Sequence, residues 1–166
     1  MRRVARAAGI TPMAIYHHFE DRKTLLRRIT EHEFARLLEC MQAHPLKGSA
    51  ADRVVSVMEG YIDYALERPR LFDYVFVQPR PGARQFPGDF RARRSPTLNV
   101  VADVVADTMK AGFLRKDDVW EVAFALWAHV HGYVVMYRAG RFEGSEKQFR
   151  ALVRRSMRRF LHGLAA

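Results

Sequence analysis

The apolar residues of this chain recur at spacings of three and four from Arg2 to the C-terminus, and no stretch alternates with period two long enough to make a half-buried strand. That pattern restricts the chain to an all-α fold. Glycine and proline punctuate it. The predicted helices are Arg2–Ala8, closed by Gly9; Pro12–His18; Arg22 to about Gln42; Ala51–Leu66; a short one from Pro69 through Phe76; Pro96 to about Ala111, with Ser95 as its N-cap; Val119 to about Ala139, capped by Asp117 or Asp118; and a last one from Ser145 to about His162. The break His44-Pro45-Leu46-Lys47-Gly48 separates two modules, 1–45 and 46–166. Residues 78–95, with Pro79, Pro81, Gly82, Pro87 and Gly88, read as one long loop, and loops of that length are functional or mobile.

With 49% hydrophobic residues, the chain can bury a sizeable core. Its 28 Lys+Arg against 18 Asp+Glu leave a net charge of +10, which favours polyanionic partners. A single cysteine, Cys40, rules out an intramolecular disulfide and the multi-cysteine zinc sites. The opening MRRVARAAGI has no apolar run of the secretory kind, so a cytoplasmic setting is expected. Near the C-terminus Phe149, Leu152, Val153, Phe160, Leu161 and Leu164 recur at helical spacing, with Arg150, Arg154, Arg155, Arg158 and Arg159 mostly between them. These arginines are expected to solvate the outer face of an amphipathic helix.

Val119–Tyr137 carries one charged residue, Glu121, and is long enough to span a bilayer. Glu121, His129 and His131 are costly in lipid, and basic residues flank both ends. The better expectation is a helix buried by protein on all sides, which in a small chain means a second subunit. Gly132 costs about 1 kcal/mol against alanine in mid-helix, and close helix approach is the expected reason for it. His129 and His131 are two residues apart, on opposite sides of a helix, so they cannot share a metal. No metal or cofactor site is expected.

The stretch RRVARAAGITPMAIYHHFEDRKTLL holds the most information. Val4, Ala5 and Ala8 form one face of a short helix, with Ala5 small at a helix crossing. Gly9 supplies a left-handed turn, Ile10 anchors it, Thr11 caps the next helix and Pro12 fits its first position. Ile15 and Phe19 point to a core. This is the grammar of a helix-turn-helix, whose second helix enters a major groove. Arg22 and Lys23 then sit in the first turn of a helix, against its dipole. A DNA phosphate at that helix end would resolve the conflict.

Through AxxAGI, Tyr16-His17-His18-Phe19 and the Asp21-Arg22-Lys23-Thr24-Leu25-Leu26 helix start, the chain resembles the TetR family of bacterial transcriptional regulators. The resemblance implies an all-α homodimer with N-terminal DNA-reading modules and C-terminal ligand-binding, dimer-forming domains. Carried over by motif position, Thr11, Pro12, Met13, Ala14 and His17 would face bases. Tyr16, His18, Arg22 and Lys23 would hold phosphates, and Arg2 or Arg3 would reach a base or the backbone. Family members carry a further helix before this motif, so this chain is expected to lack the first family helix, and Val4, Ala8 and Ile15 to lose cover.

In the second module, Leu126-Trp127-Ala128-His129-Val130-His131-Gly132 and Glu67-Arg68-Pro69-Arg70-Leu71-Phe72 resemble one TetR branch. No nucleophile elbow, phosphate-binding glycine loop or triad is present, so an enzyme is not expected. Aromatic residues, Tyr64 and Tyr133 among them, are numerous enough to line an apolar pocket. The candidate lining is Met58, Tyr61, Phe72, Phe76, Phe124, Trp127 and His131. The expected function is a regulator, a repressor released from its operator by a small, mainly apolar effector. The partners are double-stranded DNA, the effector and a second copy bound through the C-terminal helices, with no membrane. The ligand would alter the spacing of the two reading helices, which operator half-sites about 34–36 Å apart demand. The alternative is a helical ligand-binding or scaffold protein that has lost DNA binding with its first helix.

Overall fold

A computed structural model describes residues 1–79 and 81–166. Its helices are α1 (Arg2–Ala8), α2 (Pro12–His18), α3 (Arg22–Ala43), α4 (Ala50–Glu67), α5 (Pro69–Phe72), α6 (Gly88–Arg91), α7 (Pro96–Lys110), α8 (Val119–Arg138) and α9 (Glu146–Gly163), with a π-helical turn, Asp73–Val77, continuing α5. Among the described residues no strand forms, and an isolated antiparallel bridge pairs Leu114 with Ala165. No helix of the described residues is long and apolar enough to cross a membrane.

The chain forms two compact units, Met1–Ala35 and Arg36–Ala166. The second begins inside α3, because Leu37 and Met41 are buried in its core. There α4 packs against α7, α8 and α9, and α7 against α8. Met58, Tyr61, Ile62 and Ala65 of α4 join Val101 and Val105 of α7, Leu126, Val130 and Val134 of α8, and Phe149, Val153, Met157 and Leu161 of α9 in one apolar cluster.

The caps follow the side chains that the sequence supplies. Ser49 and Ser145 form reciprocal capping boxes with Asp52 and Gln148. Asp118 rather than Asp117 caps α8, accepting from the Trp120 and Glu121 amides. Ser95 does precede α7 but makes no capping bond with its side chain.

Two expectations are corrected. The 78–95 segment is not one open loop: it contains α6, and Phe86 and Phe90 pack on Phe124 at ring separations of 4.5 and 5.7 Å. Arg93 and Arg94 pair with Asp103 and Asp89, so apolar burial and charge together hold the segment. The α9 arginines are not merely solvated. Arg150, Arg154 and Arg158, one turn apart, pair with Asp63, Glu59 and Asp52 along α4, while Arg155 and Arg159 face solvent. Within the chain α8 leaves Ala125, Ala128 and Met136 exposed, the side that the expected second subunit would have to cover.

A Cβ at Gly132 would meet no atom within 4 Å among the described residues. The close approach lies at Gly60, where a Cβ would stand 2.4 Å from the Cys40 carbonyl oxygen and 2.4 Å from Met41 Cα. That glycine lets α4 cross the end of α3 backbone to backbone.

Candidate functional site

In the N-terminal unit, Gly9 adopts the left-handed conformation (φ 68°), and the Ile10 amide donates to the Ala5 carbonyl oxygen. Ala5 is 1% exposed at the crossing of α1 and α2. Thr11 Oγ1 accepts the Ala14 amide at 3.1 Å and Pro12 occupies the first turn, so α2 starts where its side chains dictate. Ile15 is buried and holds α2 in place. Three supporting roles are revised. Ile10 and Val4 are each 47% exposed, so Ile10 does not anchor the turn, whereas Ile15 keeps its cover. Phe19 is half-buried rather than core.

With Ile15 inward, α2 turns Pro12, Met13, Tyr16 and His17 outward, and Thr11 and His18 are exposed beside them. Ala14 is half-buried. Arg2, Arg3, Arg22 and Lys23 are all exposed and form no salt bridge among the described residues. Polyanion contact is the chemistry open to such a surface. The helix-dipole conflict at Arg22 and Lys23 is settled first within the chain. Asp21 Oδ1 accepts the Thr24 amide at 2.6 Å, and that bond holds the Asp21 carboxyl below the usual range. The Thr24 amide is therefore taken, which leaves the two exposed cations for an external anion.

In the second unit the candidate pocket residues divide. Tyr61, Phe72, Phe76, Trp127 and His131 form a continuous cluster, with ring separations between 5.4 and 6.4 Å. Phe124 extends it through Trp127 at 5.4 Å. Met58 is fully buried among core residues. Tyr61 Oη lies 2.8 Å from His131 Nδ1. Burial pushes the Tyr61 phenol up and the half-buried His131 imidazole down, so both are neutral near pH 7. At the edge of the cluster Arg138 lies over the Phe72 ring and binds Asp73 through both carboxylate oxygens, at 3.1 and 2.5 Å.

Sequence reasoning missed that ion pair, since its partners lie far apart in the chain. It also missed the π-helical turn that begins at Asp73. His129 is a separate case: its Nε2 lies 3.1 Å from Ser156 Oγ, which also bonds the Tyr133 hydroxyl. Among the described residues no group of His, Cys, Asp or Glu is arranged to hold a metal ion.

Comparison with known proteins finds a family match in each part of the chain. Residues 1–29 match the model of bacterial regulatory proteins of the tetR family, and residues 54–160 match the model of the tetracyclin repressor-like C-terminal domain. No curated protein matches the chain. Among solved structures, a protein of unknown function from Rhodococcus sp. RHA1 is 24% identical, with TM-score 0.77, over 99% of this chain and 84% of that one. The TetR family transcriptional regulator PfmR from Thermus thermophilus is 18% identical, with TM-score 0.73, over 99% of this chain and 88% of that one. At these identities the likeness is one of fold. The family models cover both units, and the chain belongs to the TetR family of bacterial transcriptional regulators.

Proposed function

We propose that this chain is a homodimeric, effector-controlled repressor that reads operator DNA with the outward face of α2. One observation carries the reading. Burial of Ile15 turns Pro12, Met13, Tyr16 and His17 outward together, beside the exposed cations Arg22 and Lys23. In this reading Thr11, Pro12, Met13, Ala14 and His17 meet base edges, and Tyr16, His18, Arg22, Lys23 and Arg2 or Arg3 meet the backbone. Residues 1–45 act as the reading module and 46–166 as the effector and dimer module. The aromatic cluster receives a small, mainly apolar effector.

The second copy docks on the outer face of α8. Ala125, Ala128 and Met136 are exposed there, and Gly132 has open space beside it, so another helix can come close. α3 is one continuous helix whose residues belong to both units. It offers a covalent route from the effector module to the reading module.

The test is selection of bound duplexes from a random library, followed by titration of the winner at several salt concentrations. A twofold-symmetric site is expected. Arg22→Ala with Lys23→Ala should weaken binding and lower the salt slope by about 1 for each phosphate that no longer meets a cation. No enriched sequence, or an unchanged slope, refutes the reading.

A further inference from the structure

Within the aromatic cluster the hydrogen bonds run in one direction. Tyr61 is 2% exposed, and among the described residues its hydroxyl has one hydrogen-bond partner, His131 Nδ1. A buried phenol proton without an acceptor is costly, so the hydroxyl gives its proton to His131 Nδ1, at 2.8 Å. Nδ1 is then an acceptor, and in a neutral imidazole the ring proton sits on Nε2. Burial disfavours the imidazolium that would carry protons on both nitrogens. Among the described residues His131 makes no hydrogen bond besides the one to Tyr61. Its Nε2–H is thus an oriented, uncommitted donor at the centre of a group of aromatic rings. The bond accepted at Nδ1 strengthens it as a donor.

The charges beside the cluster offer a ligand nothing. Arg138 and Asp73 are bonded to each other through two hydrogen bonds. A charged ligand would lose its hydration and find no free counter-ion there.

We infer that the cluster takes an uncharged, largely aromatic or aliphatic ligand bearing a carbonyl-type oxygen, which accepts a hydrogen bond from His131 Nε2. This rests on the effector reading above and narrows it to one chemical class.

The experiment uses the full chain, labelled with nitrogen-15, and two probes of one skeleton, benzophenone and diphenylmethane. In the free protein the His131 Nδ1 signal should be of the unprotonated type and Nε2 of the protonated type. Calorimetry should show the ketone bound about tenfold more tightly than the hydrocarbon, the worth of one hydrogen bond to a desolvated donor. The Nε2 signal should shift with the ketone alone. His131→Phe keeps a ring in place and should bind both probes equally.

A proton on Nδ1, or equal affinity of the wild type for the two probes, overturns the inference and leaves the effector reading standing. Failure of both probes to bind overturns the inference and the effector reading together.

Discussion

Gly60→Ala is the sharpest test of how α3 and α4 are joined. The added methyl would lie 2.4 Å from two atoms, the Cys40 carbonyl oxygen and Met41 Cα. Both are backbone, so no rotamer change relieves the clash. To reach ordinary van der Waals separation the helices must part by roughly 1 Å, and a gap of that size forfeits a quarter to a half of each dispersion attraction along the seam. Overpacking of this kind costs about 1–3 kcal/mol, and immovable backbone places it at the upper end. Alanine returns about 1 kcal/mol of helix propensity. The net loss is about 2 kcal/mol, which lowers the melting temperature of a chain this size by roughly 4–8 °C. Thermal unfolding followed by circular dichroism at matched protein concentration reads it directly. A variant that melts at or above the wild-type temperature would show that propensity alone governs position 60 and that the helices do not meet as described.

Asp63 accepts from His44 at 2.6 Å and from Arg150 at 2.5 Å, tying the residue that follows α3, α4 and α9 together. Burial works to raise its carboxyl, but the two donors outweigh burial and hold it below the ordinary value of 3.8. A depressed folded-state value means that stability is fully present above the unfolded value and is lost as pH falls through the folded one. Acid melts should therefore lose stability from about pH 5 downward, and Asp63→Asn should melt lower at pH 7 with a shallower acid dependence. An unchanged acid profile counts against the junction. Asp118→Ala removes the acceptor for two amides of α8 and the partner of Arg91, and should cost about 1 kcal/mol in chemical denaturation. Gly132→Ala should raise the dimer dissociation constant in sedimentation if α8 is the docking face, and a constant unchanged from wild type would place the interface elsewhere.

The N-terminal unit was largely legible in the residues. Gly9, Thr11, Pro12 and Ile15 act on neighbours a few positions away, so their spacing already states the turn, the cap and the buried side. The order of helices was legible for the same reason. Local signals failed where a partner lies far along the chain. The α9 arginines looked like a solvated face because Asp52, Glu59 and Asp63 are about a hundred positions away. Residues 78–95 looked open because nothing local says that Phe86 will find Phe124.

Sequence by itself therefore determined the all-α class, the caps at Thr11 and Ser145 and the outward set on α2, because these follow from backbone geometry over one or two turns. Tertiary structure decided which glycine is a crossing point, since Gly60 and Gly132 are alike in sequence, each in mid-helix, and only the path of α3 distinguishes them. It also decided that Asp73 binds Arg138 and that the Tyr61 hydroxyl meets His131 Nδ1. Each of these depends on which atoms meet across elements, and periodicity along one helix carries no record of the neighbour that faces it.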